Sequence, residues 1–88
     1  MKLKDNFALR QVADTWVALP LGSATLEFNG MLTLNEAGAI LWKALEQGGD
    51  REALADALTK EYIVDRARAL SDVDEFLNKL IKVGCIEE

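Results

Sequence analysis

Apolar and polar residues alternate along the first part of the chain, and an apolar period of three to four residues takes over after it. Residues 7–12 read as a strand, with Phe7 and Leu9 on one face and Ala8 and Arg10 on the other. Ala13 and Asp14 form a turn. Residues 15–19 (Thr-Trp-Val-Ala-Leu) make a second strand, closed by Pro20 and Gly22. Pro20 has no N–H to give to a ladder, so it belongs at a strand end or edge. Asn29-Gly30 is the strongest turn signal in the chain. It lies between residues 25–28 and 31–34, which predicts a tight hairpin. The sheet therefore has three antiparallel strands, or four where residues 25–28 pair fully.

Helical spacing begins near Thr33 or Asn35. Thr33-Leu34-Asn35-Glu36 matches a capping box, and Asn35 is the alternative cap. Ala37, Ile40, Leu41, Ala44 and Leu45 follow on one face, and Gln47-Gly48-Gly49 ends the helix. Asp50 caps a second helix with Leu54, Ala57, Leu58 and Tyr62 along one side. Ile63-Val64-Asp65 makes the next break, with Asp65 as a cap. The last helix is the longest, with Leu70, Val73, Leu77, Leu80 and Ile81 as its stripe and Gly84 as its stop. Cys85-Ile86 tucks back behind it. A small antiparallel sheet followed by three helices is an α+β arrangement. The second and third helices form a helix-turn-helix, with the sheet as a wing.

Composition narrows the chemistry. With 88 residues, half of them hydrophobic, the chain allows one domain and one modest core. A single cysteine, Cys85, rules out an internal disulfide and fits a reducing compartment. Without histidine there is no Ser-His-Asp or Cys-His arrangement, and one cysteine alone cannot build a structural zinc site or hold an iron–sulfur cluster. The scattered glycines form no phosphate-cradling motif. Glu27 and Glu36 could pair for acid–base work, but neither has a nucleophile or a cofactor motif beside it. The expectation is a binding domain with no metal, no cofactor and no catalytic apparatus. Nothing resembles a signal peptide, and no run approaches the ~20 apolar residues of a membrane span. The expected location is the cytoplasm, with no membrane partner.

Residues 28–42, Phe-Asn-Gly-Met-Leu-Thr-Leu-Asn-Glu-Ala-Gly-Ala-Ile-Leu-Trp, resemble the heart of the PqqD family. There an apolar strand runs into Leu-Asn/Asp-Glu, a small-residue helix start and an aliphatic pair. The order downstream is similar too, through an acidic cap, an Ala-Leu…Glu-Tyr helix and a long last helix closing on Gly-x-Ile. The likeness spans residues 7–88. It implies a winged helix-turn-helix that recognises the leader segment of a ribosomally made precursor peptide and presents it to a modifying enzyme, often a radical SAM enzyme. In that family the leader adds as a strand to the edge of the third strand, in a cleft against the third helix. Carried over to this sequence, the strand is Met31, Leu32, Thr33 and Leu34, extended back to Phe28, and the helix face is Leu70, Val73, Phe76, Leu77 and Leu80. The extra segment 23–28 leaves the register of the edge strand open.

Physical arguments bear on the same residues. An unprotected apolar edge is either covered by the protein itself or meant for a partner, and residues 31–34 carry no charge and no proline. Phe76 lies about 100° from Leu77, where it flanks the stripe and either lines a groove or is buried with it. Met31 suits an adaptable pocket or a core gap. Trp42 points off its helix's stripe and is either a docking anchor or a cover over the core edge. Asp72, Asp74 and Glu75 are expected at the start of the last helix, facing its positive end, with attraction for leader Lys or Arg as a secondary role. Two other functions compete. A helix-turn-helix regulator needs a basic face, whereas this chain carries a net charge of −5 and its last helix opens acidic. A scaffold bridging other proteins shares the same edge and groove, and a homodimer could form through that edge.

Overall fold

The computed structural model describes residues 2–3, 7–21, 32–84 and 86–87. Its main sheet has β2 (Phe7–Val12), β3 (Thr15–Pro20) and β4 (Leu32–Leu34), antiparallel and in the order β2-β3-β4. β2 and β3 meet in register from Phe7↔Pro20 to Val12↔Thr15 across the two-residue turn Ala13-Asp14. Ala13 takes a positive φ of 56°, in a hairpin position that favours glycine. β4 pairs with the middle of β3 through Trp16↔Leu34, Val17↔Thr33 and Ala18↔Leu32. Pro20 ends β3 opposite Phe7, as its missing donor requires. The expected hairpin at Asn29-Gly30 and the fourth strand at residues 25–28 lie outside the described residues.

Three helices follow: α1 (Glu36–Glu46), α2 (Arg51–Glu61) and α3 (Arg66–Val83). Each starts on a side-chain cap that satisfies an otherwise unpaired backbone donor. Asn35 accepts from Gly38 N at 2.8 Å, Asp50 from Ala53 N at 2.9 Å and Asp65 from Arg68 N at 2.7 Å. Of the two caps the sequence allows for α1, Asn35 is the one used, and Thr33 remains in β4. Gly84 closes α3 with a left-handed φ of 83°.

The core lies between one face of the sheet and the helices. Ala18, Leu32 and Leu34 meet Leu41, Trp42, Leu45, Leu54, Leu58, Val73, Leu77 and Leu80 there. Trp42 has no exposed surface, so it is a core residue and not a docking anchor. Its Nε1 finds no hydrogen-bond partner among the described residues. The buried stripe of α3 is Ala69, Val73, Phe76, Leu77 and Leu80, a helical series that leaves Ile81 outside it at 40% exposure. Tyr62 does not continue the face of α2. The helix stops at Glu61, and Tyr62 turns extended at its C-terminal end.

Asp72, Asp74 and Glu75 are not at the helix start. α3 begins at Arg66 with no acid in its first turn, so its positive end is not what holds them. Asp74 takes a two-pronged contact from Arg51 of α2, Nε at 2.6 Å and Nη2 at 2.9 Å. That contact holds the Asp74 carboxyl below the usual carboxylate range. Arg66 reaches back to Glu52 and Asp56, and Arg68 to Asp72. The Arg51 and Arg66 pairs fasten α2 to α3, the Arg68–Asp72 pair lies within α3, and together they occupy the arginines at the head of α3.

A second, smaller ladder joins the chain ends. β1 (Lys2–Leu3) pairs with β5 (Ile86–Glu87), and both Leu3 and Ile86 are buried. Two residues carry no periodicity, so neither segment reads as a strand in the sequence. Of the tail expected to tuck back, Ile86 lies in β5, and Cys85 is outside the described residues.

Candidate functional site

β3 sits in the middle of the main sheet, so β4 is an edge strand and its outer side meets no other strand among the described residues. An edge presents a row of unpaired N–H and C=O groups at strand spacing. Along β4, Leu32 and Leu34 are buried and Thr33 is exposed, the alternation of a strand with one face on the core.

The ground beside that edge is a cleft of about 560 Å³. Thr33 and Leu34 form its strand side, and Asp72, Glu75, Phe76 and Lys79 its α3 side. Ala37, Gly38, Leu41 and Leu58 supply the apolar floor, and Asn35 stands at one end. Gly38 is there for closeness: a Cβ at this position would stand 3.2 Å from Leu34 Cβ and 3.3 Å from Asn35 Oδ1. The bare glycine lets α1 begin tight against the end of β4 and keeps the cap intact. Asp72 and Glu75 make the rim acidic, and Lys79 adds a positive charge one turn beyond Glu75. Asp72 is shared with Arg68 at 3.3 Å, whereas Glu75 and Lys79 have no ion-pair partner among the described residues.

Of the residues singled out in the sequence, the structure brings Thr33, Leu34 and Phe76 together at the cleft. Leu32 belongs to the same edge strand with its side chain in the core. Val73 and Leu80 have no exposed surface and Leu77 keeps 7%, so these three support the cleft from inside rather than lining it. Leu70 packs half-buried against the core. Spacing alone could not make this division, because all five α3 residues fall within one broad apolar face. Phe28 and Met31 lie outside the described residues. Sequence reasoning missed Asn35, Ala37, Gly38, Leu41, Leu58 and Lys79 as lining residues. The small side of Gly38 next to a cap was the one available sign.

Two solved structures share this architecture. TbiB1 in complex with the TbiA(beta) leader peptide is 30% identical, with a TM-score of 0.80 over 99% of this chain and 95% of that one. Lasso peptide synthetase B1 complexed with the leader peptide is 25% identical, with a TM-score of 0.73 over 92% of this chain and 89% of that one. No curated protein matches the sequence. The family model for coenzyme PQQ synthesis protein D matches residues 15–86, which covers β3, β4, all three helices and the whole of the cleft. The chain belongs to the PqqD family.

Proposed function

We propose that this domain binds the leader segment of a ribosomally synthesised precursor peptide and presents it to a modifying enzyme. The leader adds as a strand to the outer side of β4 and lies in the cleft against α3. The observation that carries the reading is the β4 edge, unpaired on its outer side among the described residues, beside a cleft of about 560 Å³ with an apolar floor. Strand addition needs both parts: backbone groups for affinity and side-chain pockets for selection. Two neighbours of the same architecture are leader-peptide complexes, which supports the same class of ligand here.

In this reading the domain acts by binding and positioning, without a reaction of its own. The enzyme that takes over the peptide belongs to a peptide-modifying system. A radical SAM enzyme is the partner class that the family resemblance suggests, and lasso-peptide machinery is the one that the neighbours suggest. The arginines heading α3 are committed to Glu52, Asp56 and Asp72, which speaks against a phosphate-binding face. We place the protein in the cytoplasm, where its peptide is made; the lone Cys85 suits a reducing compartment. Without a leader, the β4 edge is also where a second copy would pair.

The test is a backbone-amide NMR titration of the domain with leader peptides encoded beside its gene. Shifts concentrated at residues 32–38 and 72–79 are expected. A folded sample showing none with any such peptide refutes the reading.

A further inference from the structure

The connection between α2 and α3 carries three apolar residues in a row at the surface. Tyr62 is 36% exposed, Val64 37%, and Ile63 is wholly exposed at 106%. A cluster of large apolar side chains left in water marks a contact surface more often than an accident. Tyr62, Ile63 and Val64, with Ala37 and Leu58, line a second hollow of about 460 Å³. This hollow adjoins the cleft: Asn35, Ala37, Leu58 and Asp72 border both. β4 ends at Leu34 and Asn35 caps α1 directly after it. A peptide paired along β4 and continuing past Leu34 therefore passes over Asn35 and Ala37 and arrives at the hollow.

We infer that the recognised peptide extends beyond the β4 edge and seats one large apolar side chain, aliphatic or aromatic, in this hollow against Ile63 and Val64. The inference rests on the leader-binding reading and adds a sequence requirement to it. The rim defines the neighbours of that side chain. Glu36 and Asp72 stand at the mouth, so an acidic residue next to the anchor is disfavoured and a basic one is accepted. The Tyr62 phenol registers the same surroundings. Its pKa is raised, first by loss of solvent and then by the charges of Glu36 and Glu61.

The experiment uses the leader peptide encoded beside the gene, synthesised whole and with each apolar residue replaced in turn by alanine. Binding is measured by calorimetry to the native domain and to Ile63→Ser. This substitution is at a fully exposed side chain, and an unchanged Tm confirms that the fold is kept. One replacement outside the strand-paired segment is expected to weaken binding to the native domain about tenfold. Ile63→Ser weakens the whole leader by a similar factor, and in that variant the same replacement has no further effect. Equal affinity of native and Ile63→Ser domains for the whole leader, with β4 amides still shifting, overturns this inference and leaves leader binding standing. No β4 shift in the native domain overturns leader binding itself. If Ile63→Ser instead dissolves a dimer and leaves leader affinity unchanged, the hollow receives a second copy, and the inference is wrong.

Discussion

Phe76 and Leu80 lie one turn apart on α3, and the structure gives them different work. Leu80 has no exposed surface, whereas Phe76 keeps 8% and forms part of the cleft wall. Truncating Leu80 to alanine removes core contacts and leaves a cavity, at a cost of about 2–5 kcal/mol. A domain of 88 residues has roughly 4–13 kcal/mol of stability in all. Leu80→Ala should thus lower Tm by about 10 °C or more. Phe76→Ala costs a similar amount of stability, about 3–5 kcal/mol, because most of that ring is buried too. Their effects on binding should differ. A phenylalanine buries about 150–250 Å², so the 8% left for a peptide to cover is about 12–20 Å². At about 25 cal/mol per Å² this is near 0.4 kcal/mol, a twofold loss of affinity from area alone. The dent left in the cleft wall adds to it. Urea titration with and without leader peptide, and calorimetry at 10 °C corrected for the folded fraction, separate the two quantities. Leu80→Ala should leave the affinity of the folded fraction unchanged, and Phe76→Ala should lower it at least about twofold. A folded Leu80→Ala that binds more weakly than Phe76→Ala would show that the cleft wall has been assigned to the wrong residues.

Two further outcomes concern the frame of the site. Ala13 sits at φ 56° and Gly48 at φ 84°, the latter with open space around it. Ala13→Gly should raise stability and Gly48→Ala lower it, each by about 1 kcal/mol in chemical denaturation; changes of the same sign would contradict the backbone geometry. The Asp74 carboxyl has its pKa lowered from 3.8, principally by its hydrogen bond from Arg51. Its contribution is therefore fully present above the unfolded-state value and is lost as pH falls through the folded one. Asp74→Asn should flatten the acid limb of a Tm-against-pH curve below pH 4 and leave the slope at neutral pH unchanged; an unaltered acid limb would mean the pair contributes nothing.

Much of this fold is written locally. The two-residue turn at Ala13-Asp14, the caps Asp50 and Asp65 and the stop at Gly84 are short-range signals, and each sits in the structure where the sequence puts it. The order of three strands and three helices follows from them. What local pattern could not give is any property set by partners far along the chain. Trp42 looks displaced from the stripe of α1, yet it is wholly buried in the core shared by the sheet and the helices. Asp74 looks like a helix-dipole residue until Arg51, 23 positions earlier, is seen to hold it. The β1–β5 ladder joins residues more than 80 positions apart. In the site, the edge strand and Phe76 were legible. Gly38 and Lys79 were not, because their place at the cleft depends on how α1 and α3 stand against β4.

Backbone pairing at β4 and the side chains beside it divide the work of choosing a partner. The described residues of the edge, Leu32–Leu34, offer only a few outward backbone groups, and each hydrogen bond contributes about 0.5–1.5 kcal/mol net. Strand pairing alone then yields only a few kcal/mol, on the order of millimolar affinity. Backbone pairing is also blind to sequence, so a long open edge would accept other strands, including its own copy. Discrimination therefore falls to side chains. The surroundings of β4 supply them: an apolar floor beneath the cleft, acids at Asp72 and Glu75, a base at Lys79, and the apolar hollow past Asn35. A peptide that satisfies only the edge gains little. One that also fills the floor and the hollow gains the apolar burial that turns a weak strand contact into a selective one.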